Sequence, residues 1–158
     1  MILIGVDFLD GSRAALDQAR SLSSAAGIPL EILYVRDYGE GGPWNPHPDQ
    51  LEWLESAKLA PSAVQTRQGV PWVELVRYAR ERGAAMIVAG RHGGSGAHPF
   101  SLGSTALRLA THAPDPVLLV SGAQQRTEMK NRVFARDGEP RPGSDESSHG
   151  GSTRSDAG

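Results

Sequence analysis

Apolar and polar positions follow two rhythms along this chain. Residues 1–6 form a short continuous apolar run, the pattern of a strand buried on both faces, as in parallel sheets. Residues 7–12 (Asp-Phe-Leu-Asp-Gly-Ser) read as a turn into a helix, with Ser12 or Asp10 as N-cap. From Arg13 onward, Leu16, Ala19, Leu22 and Ala26 follow helical spacing, and Gly27 supplies the C-cap. Residues 30–36 (Leu-Glu-Ile-Leu-Tyr-Val-Arg) read as a second strand. The Gly- and Pro-rich stretch 39–48 is loop, and residues 49–59 return to helical spacing with Asp49 as cap. Residues 62–68 carry the weakest strand signal, since only Ala63 and Val64 are apolar. Pro71 then opens a helix whose Trp72, Leu75, Val76 and Ala79 fall at i, i+3, i+4 and i+7, with Gly83 closing it. Residues 85–89 are a fourth strand, 104–112 a helix stopped by Pro114, and 117–120 a fifth strand.

Strand and helix thus alternate throughout. Right-handed crossovers between such units give an α/β fold, with a parallel sheet and helices on both faces. Ligands in these sheets bind beyond the carboxyl ends of the strands, where the winding reverses. The fourth strand ends at Gly90. Residues 90–105 follow it, Gly-Arg-His-Gly-Gly-Ser-Gly-Ala-His-Pro-Phe-Ser-Leu-Gly-Ser-Thr. A glycine-rich loop between a strand and a helix suits a phosphate group. The first helical turn has unpaired N–H groups and partial positive charge, and glycines let the backbone approach closely.

Composition narrows the classes. The 158 residues favour one domain, and a net charge of −2 gives no footprint for a nucleic acid partner. The absence of cysteine removes disulfides, thiolate chemistry and cysteine-bound metal. No apolar run reaches the roughly 20 residues of a membrane helix, and the opening residues lack the charged start of a signal peptide. The expectation is a soluble cytoplasmic protein. After residue 122 the chain turns polar and Ser/Gly-rich, so the expected organisation is a folded domain over 1–122 and a largely disordered tail over 123–158. A short helix near 128–135 is the tail's one structural expectation.

Two standard phosphate loops are missing. No GxxxxGK[ST] occurs, and the first strand is followed by Asp7-Phe8 rather than GxGxxG. What remains is Gly90-x2-Gly93-x9-Gly103-Ser104. This spacing resembles the ATP-binding motif of the universal stress protein family. The likeness spans residues 1–122, through VDF near the start, LYV, GAAMIVAGRHG, LGSTALRLATHAP and the closing PVLLV. It implies a five-stranded sheet of order 3-2-1-4-5, as in adenine nucleotide alpha hydrolase-like folds. It also implies binding of an adenine nucleotide (ATP, or AMP or ADP), with magnesium accompanying the phosphates, and dimerisation through the last strand.

Carried onto this sequence, the resemblance puts Asp7 beside the adenosine part and Val35 against the adenine. Ala89 and Gly90 line the same pocket. Gly93, Gly103, Ser104 and Thr105 hold the phosphates, with Arg91 and His92 inside the loop. Residues 94–102 are expected to act as a flap. The apolar last strand, Val117, Leu118, Leu119 and Val120, lies at a sheet edge in that order, which independently favours a homodimer. His92 and His98 lack neighbours at metal-ligand spacing, so no metal site is expected from side chains. No nucleophile, base and orienting group stand together. The role that the resemblance implies is an ATP-binding stress-response regulator or sensor. A nucleotide-free interaction module and a weak ATPase or phosphotransferase are the alternatives.

Overall fold

A computed structural model of the chain describes residues 1–39, 41–93, 101–122, 126–127 and 130. The elements run β1 (Ile2–Val6), α1 (Asp10–Ala26), β2 (Leu30–Arg36), α2 (Pro48–Ser56), a 3₁₀ turn (Pro61–Ala63), β3 (Val64–Gln68), α3 (Pro71–Arg82), β4 (Met86–Gly90), α4 (Ser104–His112) and β5 (Val117–Val120). The five strands are all parallel, in the order β3-β2-β1-β4-β5. The expected order is the observed one. Most of the segment 123–158, including the short helix expected near 128–135, lies outside the described residues, as does the greater part of the flap. Among the described residues, no helix is long and apolar enough to cross a membrane.

The period of two along each strand divides the interior into two cores. Ile2, Ile4 and Val6 of β1 point to one face, where they meet Ala15, Leu16 and Ala19 of α1 and Leu54 of α2. Leu3 points to the other, with Leu33, Ile87 and Ala89, against Leu75 and Ala79 of α3 and Leu109 of α4. The helices α1 and α2 therefore cover one face of the sheet, and α3 and α4 the other. Gly5 faces α3, and a Cβ there would stand 2.8 Å from the Leu75 side chain, so this glycine makes room for the helix.

Helix starts differ from the sequence reading in an instructive way. α1 begins at Asp10, with Leu9 in the N-cap position and no side-chain cap. Neither Ser12 nor Asp10 caps it, because Ser12 is buried and its hydroxyl is engaged with Asp7. α2 is capped by His47 rather than Asp49, through a reciprocal bond with Gln50. The αL glycines Gly27 and Gly83 do close α1 and α3.

The weak strand β3 forms although its sequence is polar. It pairs with β2 from Ile32–Val64 to Arg36–Gln68, and its side chains tie it to α3. Arg67 reaches Glu81 at 2.5 Å and lies 5.2 Å over the Tyr78 ring. Beneath it, the Tyr78 hydroxyl donates to Glu31 Oε2 at 2.8 Å, and Arg82 donates to Glu31 Oε1 at 2.7 Å. The Arg82 hydrogen bond holds the Glu31 carboxyl below its ordinary pKa, with Tyr78 adding to the effect against the opposing pull of burial.

A depressed carboxyl pKa contributes stability above its unfolded value, and that stability is lost as pH falls through the folded value. Thermal unfolding should therefore show a melting temperature that drops below the ordinary carboxylate pKa of about 4.3. In Glu31→Gln the neutral-pH melting temperature should be lower and the acid-side drop smaller. Identical acid-side slopes in the two proteins would remove this pair from the account.

Candidate functional site

The site begins with two glycines that bring backbone against backbone. Gly90 ends β4, and a Cβ on it would fall 2.7 Å from the carbonyl carbon of Gly11 in the first turn of α1. A Cβ on Gly11 would in turn overlap the carbonyl oxygen of His92. Any side chain at either position would drive α1 away from the β4 end. With both glycines present, α1 seats on the strand and fixes the path of residues 90–93.

That path ends on the N-terminus of α4. The Gly103 N–H donates to the Arg91 carbonyl at 2.8 Å, which folds the two ends of the loop together. Gly103 is the N-cap residue and Ser104 the first helical residue, with no side-chain cap. The N–H of Leu107 is the first to return to the helix, on the Gly103 carbonyl at 2.9 Å. The N–H groups of Ser104, Thr105 and Ala106 thus precede any intrahelical acceptor and point outward with the positive end of the helix dipole.

Asp7 comes to the same place from β1. Its Oδ1 accepts from the Leu9 N–H at 3.0 Å and from the Ser12 hydroxyl, while its own N–H donates to Ser12 Oγ at 2.8 Å. Its other oxygen stands against Gly93, where a Cβ would lie 2.6 Å from Oδ2. A side chain at position 93 would therefore displace the Asp7 carboxylate.

These groups surround a cavity of about 300 Å³. Small-molecule pockets begin at about this size. All ten residues singled out in the sequence line it: Asp7, Val35, Ala89, Gly90, Arg91, His92, Gly93, Gly103, Ser104 and Thr105. Leu33, Tyr34, Pro71 and Leu75 complete its apolar side, and Ser12 joins Asp7. Pro71 and Leu75 read in the sequence only as a helix start and a core stripe. Leu33 gives no signal of its own, because its place depends on which neighbours flank β2.

Two side chains behave differently from a simple reading of the loop. Arg91 is directed along the loop, donating to Ser121 Oγ at 3.3 Å and to the Ser101 carbonyl at 3.4 Å. His92 is buried to 7% exposure, and its Nε2 has no hydrogen-bond partner. A buried polar atom without a partner is costly unless something else supplies one. Among the described residues, no three His, Asp or Glu side chains gather as metal ligands would.

Comparison with known proteins agrees with this fold. A family model described as the universal stress protein family matches residues 1–121. The chain belongs to the universal stress protein family. Two curated family members are similar to it. One from Mycolicibacterium smegmatis is 28% identical over 131 residues, covering 75% of this chain and 45% of its own length. The YxiE protein of Bacillus subtilis is 29% identical over 143 residues, covering 75% of this chain and 97% of its own. The chain thus spans less than half of the first and nearly all of the second.

Solved structures of universal stress proteins share the fold. UspA from Lactobacillus plantarum matches with a TM-score of 0.55 and 25% identity, over 75% of this chain and 95% of that one. A universal stress protein in complex with cAMP matches with a TM-score of 0.53 and 20% identity, over 77% of this chain and 97% of that one.

The glycine contacts of this universal stress protein yield a direct test. Gly11→Ala forces a methyl group into the His92 carbonyl, where only backbone can give way, and should cost about 3 kcal/mol in denaturant unfolding. Gly122→Ala meets nothing within 4 Å and has no positive φ, so it should stay within about 0.5 kcal/mol of wild type. Equal stabilities for the two variants would refute the close approach of α1 to the β4 end.

Proposed function

We propose that this protein binds an adenine nucleotide, ATP or its mono- or diphosphate, and serves as a stress-response regulator or sensor. The observation that carries the reading is one cavity joining three features. It has an apolar side from Val35, Ala89, Pro71 and Leu75, a carboxylate at Asp7, and an anion-seeking helix N-terminus at Ser104 and Thr105. In this reading the base lies on the apolar side, with Val35 against it and Ala89 and Gly90 beneath. Asp7 accepts hydrogen bonds from ribose hydroxyls. Gly93, Gly103, Ser104 and Thr105 receive the phosphates through backbone N–H groups and hydroxyls.

The unpartnered Nε2 of His92 fits a further polar contact to the same ligand. Arg91, held by Ser121 and Ser101, keeps the loop's shape. Phosphate charge then falls on backbone dipoles, with magnesium as the counter-ion when a di- or triphosphate is bound. The family relationship and the cAMP-bound structural neighbour both support a nucleotide ligand of this class.

Mass spectrometry of small molecules released from freshly purified protein should find an adenine nucleotide. ATP with magnesium at a hundred times its dissociation constant should stabilise the fold by about 2.7 kcal/mol, which raises the melting temperature by roughly 5–10 °C. In Gly103→Val the added side chain meets the Arg91 carbonyl 3.2 Å from the Cβ position, and the shift should be lost. A wild-type protein that carries no nucleotide and shows no shift at millimolar ATP would overturn this reading.

The proposal includes a homodimer through β5. Among the described residues this strand pairs only with β4, leaving one edge open, and Val117, Leu118 and Leu119 are half-buried. An open apolar edge favours self-pairing. Sedimentation at micromolar concentration should give a dimer, and a monomer would count against it.

A further inference from the structure

Phe8 occupies a backbone conformation that is unfavourable for a bulky residue. Its φ is +61°, in the left-handed region where glycine is the usual occupant. Nevertheless Phe8 is buried, at 8% exposure. Three aromatic side chains surround its ring. Tyr34 meets it edge-on at 4.8 Å between centroids, Trp53 edge-on at 5.4 Å, and Trp44 stacks at 5.7 Å. This cluster is itself cross-linked: Gln50 accepts from Trp44 Nε1 at 3.3 Å and donates to the Tyr34 hydroxyl at 3.4 Å. Trp53 Nε1 also donates to the Leu9 carbonyl at 3.4 Å. The loop before α2 and α2 itself therefore grip the turn between β1 and α1.

The turn matters because of its neighbour. The left-handed step at Phe8 curls the chain so that the Leu9 N–H returns to Asp7 Oδ1. Together with the Ser12 hydroxyl, this occupies one carboxylate oxygen and leaves Oδ2 against Gly93 at the cavity wall. A glycine at position 8 would meet the backbone requirement at no steric cost. The phenylalanine therefore adds the one thing glycine lacks, a ring that the aromatic cluster can hold.

We propose that Phe8 is a positioning residue for nucleotide binding: its clamped ring fixes the turn that presents Asp7 Oδ2 to the ligand. The inference rests on the nucleotide reading given above. It links the pocket to the aromatic cluster on the α1/α2 face through Asp7 and Phe8, beside Tyr34, which lines the pocket and meets the Phe8 ring. It also gives the short Gly- and Pro-rich connection before α2 a role in the affinity of a site it does not line.

Calorimetric titration of the full chain with ATP and magnesium tests this, using wild type, Phe8→Gly, Asp7→Asn and the double variant. Phe8→Gly keeps the backbone conformation and removes the grip. Each single variant should bind ATP about tenfold more weakly, as expected for a hydrogen bond to a charged group. Because Phe8 acts through Asp7, the double variant should bind no more weakly than Asp7→Asn alone. A general loss of structure would not produce that coupling.

Wild-type affinity in Phe8→Gly overturns the inference, and so does wild-type affinity in Asp7→Asn. Independent losses that combine to about a hundredfold in the double variant overturn it as well. If circular dichroism shows Phe8→Gly to be unfolded, Phe8→Leu replaces it, retaining apolar volume without the ring contacts, with the same outcomes expected. ATP that fails to bind wild type overturns the nucleotide reading itself, a result distinct from any of these.

Discussion

The contact between the first turn of α1 and the end of β4 is the constraint on which the site depends. Gly11 and Gly90 meet backbone to backbone, with no room for a methyl group on either. That approach brings the β1–α1 turn, carrying Asp7, alongside the loop that carries Gly93. It also directs residues 90–93 toward α4, where the Arg91 carbonyl accepts from Gly103. Separate strand ends thereby become the wall of a single cavity.

The sheet divides labour between its faces. At the carboxyl ends of the strands a cavity is left open, with Gly5, Ala89 and Leu75 among its lining. On the α1/α2 side the equivalent region is filled by aromatic rings around Phe8. Tyr34 contributes to both, lining the cavity and meeting the Phe8 ring. The same strand ends thus carry an open site on one face and a rigid plug on the other, and rigidity behind a site limits the ordering cost of binding.

Charge is handled sparingly. Arg91 donates to Ser121 Oγ and to the Ser101 carbonyl, and the Asp7 carboxylate stands against Gly93. Positive potential comes from the α4 N-terminus, whose first N–H groups lack intrahelical partners.

Much of this was legible in the sequence, and for identifiable reasons. Continuous apolar runs marked β1, β4 and β5, helical spacing at Leu16–Ala19 and Leu75–Ala79 marked the covering faces, and αL glycines marked helix ends, whereas the polar β3 gave only a weak signal. These are local properties of the chain. The glycine spacing around residues 90–105 likewise marked one wall of the cavity, since close backbone approach has a local signature. What the chain alone did not reveal was long-range. Ser12 resembles a helix cap, but a carboxylate five residues earlier claims its hydroxyl. Asp49 yields the α2 cap to His47, because Gln50 reaches back to the His47 N–H. Phe8 looks like one more apolar residue. Only the tertiary structure surrounds it with residues 26 to 45 positions away and holds it left-handed. Sequence determined which elements form and where the glycine-rich loop falls between them, because those follow from nearest neighbours. Tertiary structure decided which side chains line the cavity, because that depends on backbones meeting across the sheet.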